Sequence, residues 1–79
     1  MAIRQITIVG TGLIGGSFGL ALRLQGFPGV LVGCDRREVL DAAVTRGAID
    51  RGDADVRQAV QGSDVVVLAT PVGGILSTF

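Results

Sequence analysis

Ile6-Thr7-Ile8-Val9-Gly10-Thr11-Gly12-Leu13-Ile14-Gly15-Gly16-Ser17-Phe18 is the stretch on which the fold turns. The β-branched run Ile3 to Val9 halts at Gly10, as a buried strand does. Beyond the glycines, Ile14, Phe18, Ala21 and Leu22 recur at helical spacing, which predicts their inward face on a helix. Between strand and helix lies G-x-G-x-x-G. Gly10 makes a tight turn, Gly12 lets a pyrophosphate approach the backbone, and Gly15 lets the helix pack closely on the strand. Free N–H groups at a helix start, with the positive end of its dipole, suit a diphosphate.

Working outward, Gly26 is placed to cap that helix, and Phe27-Pro28-Gly29 turns the chain. Val30 to Cys34 is a second strand, and Asp35 opens a second helix with Leu40, Ala43 and Val44 inward and Gly47 at its close. Ala48-Ile49-Asp50 is expected as a very short third strand. Asp53 or Asp55 then caps a short helix with Val56, Ala59 and Val60 inward. Val65 to Ala69, apolar at every position, suits a strand covered on both faces. Thr70-Pro71 reads as a cap followed by the first residue of a further helix. Strands alternating with helices predict an α/β fold: a Rossmann-type parallel sheet with helices on both faces and right-handed crossovers. Ile75 to Phe79 stops inside an apparent helix, so residues 1–79 are expected to be the first half of one nucleotide-binding domain.

Asp35 lies 20 residues after Gly15, at the end of the second strand. Dinucleotide folds keep a carboxylate there for the adenosine ribose. With Glu38 it also resembles a helix capping box, and the two roles are compatible. Arg36 is placed to stack on adenine, or to be a solvated helix residue beside Arg37, which could pair with Asp41. If the strand order is 3-2-1-4, the Gly10 loop faces Thr70 and Pro71 across the crevice where such folds bind ligands. The candidate cofactor-binding residues are therefore Gly10, Thr11, Gly12, Leu13, Ile14, Gly15, Asp35, Arg36, Thr70 and Pro71.

Composition narrows the classes. Seven Arg, no Lys and seven acidic residues give a formal net charge of 0, without the basic excess a nucleic-acid surface needs. The uncharged run Gln5 to Leu22 resembles a membrane segment, yet five of the ten residues from Gly10 to Gly19 are glycine. Each costs about 1 kcal/mol in a helix interior, so neither a membrane nor a nucleic-acid partner is expected. One cysteine, Cys34, precludes an internal disulfide and points to a reducing cytoplasm; its apolar strand marks it as an inert core residue. No His is present, so the usual general base is missing and no catalytic residue is assigned. Asp50, Asp53 and Asp55 lack calcium-loop spacing and read as loop and cap residues, so no metal is expected.

The run Gly10-Thr11-Gly12-Leu13-Ile14-Gly15-Gly16-Ser17 resembles the start of the prephenate and arogenate dehydrogenases. So do Val32-Gly33-Cys34-Asp35, Gly47-Ala48-Ile49-Asp50 and Ser63 to Val72. The resemblance implies an NAD(P)-dependent oxidative decarboxylation in tyrosine biosynthesis. It also implies a small-molecule substrate, catalytic residues beyond residue 79, and a helical second domain that forms a homodimer. NAD rather than NADP is expected, because a 2′-phosphate would meet the Asp35 carboxylate. Two other readings share the loop: a β-hydroxyacid or imine-reducing dehydrogenase, and a dinucleotide-binding module without catalysis.

Overall fold

The computed structural model describes residues 2–69. Its elements are β1 (Gln5–Val9), α1 (Leu13–Leu24), β2 (Val30–Cys34), α2 (Arg37–Thr45), β3 (Arg51–Gly52), α3 (Val56–Ala59) and β4 (Val65–Leu68). The strands are parallel in the order β3-β2-β1-β4, with Gln5 beside Val30 and Ile6 beside Val65. That order puts the ends of β1 and β4 at the switch point where the crossovers diverge.

Alternation along β1 divides the core. Ile6 and Ile8 join Leu31, Leu40, Ala43, Ala48 and Ile49 on the α1/α2 side. Thr7 and Val9 face the other way, with Val32, Cys34 and Ala59 of α3. The Thr7 hydroxyl donates to the Ala59 carbonyl at 2.9 Å, so the one fully buried β1 hydroxyl is satisfied. Helices thus lie on both faces, as expected. Gly26 and Gly47, at φ +86 and +79, each close their helix with a pair of main-chain bonds. At Gly47 these run from its N–H to Val44 and from Ala48 to Ala43, the geometry a left-handed cap provides.

Several expectations need correction. The first strand begins at Gln5 rather than Ile3. α1 does not bury Ile14, Phe18 and Ala21: its buried residues are Gly15, Gly16 and Gly19, while Ile14 is 70% exposed. The helix comes so close that a Cβ at Gly19 would lie 3.1 Å from the Ala48 carbonyl carbon and nearer still to its oxygen. No branched side chain fits such a gap. Val44 and Val56 also point outward. The third strand is Arg51–Gly52, because Ala48 and Ile49 plug the core and Asp50 bends the chain. β4 alternates rather than being covered on both faces, with Val66 and Leu68 exposed. Arg37 does not pair with Asp41; among the described residues the α2 pair is Arg36–Glu38, at 4.0 Å. Thr70, Pro71 and Ile75 to Phe79 lie outside the described residues.

Candidate dinucleotide-binding site

The candidate site begins with the turn after β1. Gly10 adopts φ +92, a backbone region closed to most side chains, and its N–H donates to the Cys34 carbonyl at 2.8 Å. The loop then turns up into α1, whose first helical bond runs from Gly16 N–H to Gly12 O. No side chain caps that end and its first turn holds no acidic residue. The N–H groups of the first turn therefore have no internal acceptor, and the helix dipole favours an anion there.

The three fingerprint glycines are not equivalent. A Cβ at Gly12 would meet nothing within 4 Å, so the space above it is open. A Cβ at Gly15 would lie 2.8 Å from the Gly10 carbonyl carbon and 3.1 Å from Ile8 Cγ2, with the Gly10 oxygen closer still. Gly15 brings α1 against β1, the use read for it from the sequence, and Gly12 leaves open space beside the loop. Leu13 and Ile14 stand outward at the helix start, 83% and 70% exposed. Thr11 is wholly buried, and its Oγ1 finds no hydrogen-bond partner among the described residues.

The expectation that Asp35 caps α2 is corrected. The N-cap of α2 is Arg36, and it makes no side-chain cap bond, so the Asp35–Glu38 capping box does not form. Instead Asp35 Oδ2 accepts the Thr11 N–H at 2.9 Å, and Oδ1 accepts the Arg36 N–H at 2.7 Å. The carboxylate thus stands beside the glycine loop at the end of β2. A hollow of about 380 Å³ opens there, lined by Val9, Gly10, Cys34, Asp35, Arg36 and Ala54. Its wall is apolar except for Asp35 and the exposed Arg36 at the rim.

Cys34 and Ala54 escaped the sequence reading as lining residues. Parity along β2 offered a signal, since Cys34 shares the Val32 face, under α3 and the loop before it. Burial, then the charges of Asp35, Asp53 and Asp55, push the Cys34 thiol up, so it stays protonated and unreactive. The other aspartates have local tasks. Asp53 Oδ1 accepts the Asp55 N–H at 2.8 Å, and Asp55 caps α3 through the Arg57 N–H at 2.9 Å. Asp50 Oδ2 accepts from Leu31 N–H and from Arg23, at 2.7 and 2.6 Å. No helix among the described residues is long and apolar enough to cross a membrane.

Comparisons with known proteins bear on the fold and the family. The family model "Prephenate dehydrogenase, nucleotide-binding domain" matches residues 18–79. A prephenate dehydrogenase of Lactococcus lactis subsp. cremoris (strain MG1363) is 34% identical over 70 residues, 89% of this chain and 20% of that protein. Among solved structures, a prephenate dehydrogenase from A. aeolicus, in complex with hydroxyphenyl propionate and NAD+, has a TM-score of 0.87 at 34% identity. That match covers 98% of this chain and 28% of the other. The WlbA dehydrogenase of Chromobacterium violaceum, in complex with NADH and UDP-GlcNAcA, gives 0.73 at 30% identity over 92% of this chain and 22% of that one. The chain spans about a fifth of the curated relative and 28% of the solved prephenate dehydrogenase. A parallel sheet in the order β3-β2-β1-β4, an open glycine loop and a carboxylate at the end of β2 meet a family match over most of the chain: it belongs to the prephenate dehydrogenase nucleotide-binding domain family.

Proposed function

We propose that these residues bind NAD as the nucleotide-binding part of a prephenate or arogenate dehydrogenase, a cytoplasmic enzyme of tyrosine biosynthesis. The observation that carries the reading is Gly12, with open space where a Cβ would stand, at the uncapped start of α1 and beside a carboxylate-lined hollow. The open cradle fits a diphosphate, and the hollow fits an adenosine. In this reading the N–H groups from Gly12 to Gly15, which have no internal acceptor, hold the diphosphate, and Asp35 accepts the ribose hydroxyls. Arg36 closes the rim over the base, where a guanidinium stacks well on an aromatic ring. Thr70 and Pro71, following β4, are proposed to border the nicotinamide side. When bound, NAD accepts a hydride from the substrate. The residues described here orient it and exclude water from its diphosphate; none is assigned a proton-transfer step. Substrate contacts and homodimer formation are assigned to a further helical domain of the enzyme.

NAD rather than NADP is the proposed cofactor, since a 2′-phosphate would have to sit against the Asp35 carboxylate, and like charges at that range cost several kcal/mol. The test is calorimetric titration of NADH into wild type and Gly12→Val. A Cβ at residue 12 meets nothing within 4 Å, and the valine side chain enters the space proposed for the diphosphate, so binding is expected to be abolished while the fold persists. Equal affinities would remove the loop from the site.

A further inference from the structure

We infer that Asp35 is also a positioning residue, one that holds the glycine loop in its binding shape whether or not a ribose is present. This inference rests on the dinucleotide reading of the site. Two successive N–H groups tie the loop to the end of β2: Gly10 to the Cys34 carbonyl at 2.8 Å, and Thr11 to Asp35 Oδ2 at 2.9 Å. The first tie is main chain and survives any substitution. The second exists only because residue 35 carries an acceptor of the right reach. Thr11 is wholly buried, and a Cβ at Gly33 would lie 2.6 Å from its Cγ2, so the residue is wedged against β2. Among the described residues its N–H has no other acceptor if Asp35 is lost.

A carboxylate has about four acceptor positions. Thr11 and Arg36 use one on each oxygen, which leaves lone pairs on both for hydroxyl groups. A single side chain thus serves the adenosine ribose outward and the diphosphate loop inward. The two halves of dinucleotide recognition are coupled through it. Gly12 itself, with nothing near its missing Cβ, is held by main-chain bonds: the Gly16 N–H on its carbonyl and the Thr11 tie immediately before it.

The test must separate this role from ribose binding and from charge. Removing the carboxylate's charge alone eases the approach of a diphosphate, so two neutral variants are compared, Asp35→Asn and Asp35→Ala. Only the asparagine keeps an oxygen for the Thr11 N–H. The ligands are NADH and NADH lacking both adenosine ribose hydroxyls, titrated calorimetrically into the full-length chain. The dideoxy form cannot report on ribose contacts. Asp35→Asn is expected to bind it about threefold to tenfold more tightly than Asp35→Ala, the worth of one backbone hydrogen bond. Amide exchange at Thr11 in the unliganded protein is expected to be slow in wild type and Asp35→Asn, and fast in Asp35→Ala. Should the alanine variant unfold, Asp35→Val provides the same comparison. Equal affinity of the Asn and Ala (or Val) variants for the dideoxy ligand overturns the inference and leaves Asp35 as a ribose ligand only. Failure of wild type to bind NADH is a different result, and it sinks the dinucleotide reading instead.

Discussion

Gly15→Ala adds one methyl group where the chain has no room for it. The new Cβ would lie 2.8 Å from the Gly10 carbonyl carbon and 3.1 Å from Ile8 Cγ2, with the Gly10 oxygen nearest of all. A tolerable contact requires α1 to retreat by an ångström or so (roughly the deficit against ordinary van der Waals spacing). Gly10 cannot swing aside, because its φ of +92 and its bond to Cys34 O fix its carbonyl. Overpacking of this kind costs about 1–3 kcal/mol, and a rigid obstacle puts it at the upper end. Alanine returns about 1 kcal/mol through helix propensity. The net expectation is a loss of about 2 kcal/mol. Gly12→Ala, three residues earlier, meets nothing within 4 Å and is expected to stay within about 0.5 kcal/mol of wild type. Urea unfolding of both variants, followed by circular dichroism, gives the midpoints and slopes from which the differences are read. A Gly15→Ala variant as stable as wild type would refute the close approach of α1 to β1, and with it the account of the third fingerprint glycine.

Three further expectations concern single groups. Thr11→Val replaces a buried hydroxyl that has no partner among the described residues, so stability should hold or rise by up to about 1 kcal/mol in the same unfolding assay; a marked loss would mean that the hydroxyl is bonded. Main-chain N–H groups of Arg4 and Gln5 hold the Asp64 carboxyl below its usual range. A carboxylate lowered in the folded state adds stability above its unfolded pKa and loses it as pH falls through the folded one. Asp64→Asn should therefore flatten the fall in urea midpoint between about pH 5 and pH 2, where the acid limb of such a carboxylate lies; an unchanged acid limb would count against that pairing. Finally, NADH should bind about a hundredfold more tightly than NADPH, narrowing in Asp35→Ser; equal wild-type constants would remove Asp35 from the ribose site.

The alternation of strands and helices and the loop were legible because they are written locally, whereas the order 3-2-1-4 entered only as a condition. Glycines at fixed spacing between a β-branched run and a helix, with an aspartate closing the next strand, define the turn and what faces it. The orientation of α1 was not legible, for a physical reason. Periodicity weighs side chains, and the fully buried positions of this helix have none: Gly15, Gly16 and Gly19 face the core, with Leu20 and Leu22 partly buried beside them, while Leu13, Ile14 and Phe18 face out. Of the expected stripe, Leu22 packs against the core, whereas Ile14, Phe18 and Ala21 are exposed. Asp35 was ambiguous for a similar reason. An aspartate between strand and helix has one signature whether it caps the helix or ties a loop, and only the distance to Thr11 N separates the two. At Ala48-Ile49, apolar character was taken for a strand. Their task is to fill the core, and pairing with β2 waits until Arg51.

The two margins of the sheet are unequal. On one side β3 offers only Arg51 and Gly52, a charged residue and one without a side chain, between the Asp50 bend and the Asp53 turn. Such an edge is too short and too charged to template another strand. On the other side β4 extends for four apolar residues, with Val66 and Leu68 exposed on one face. Growth of the sheet is therefore one-directional. Among the described residues β4 is the margin open to pairing, so any strand that adds to this sheet, from this chain or from a stranger during folding, adds beside it.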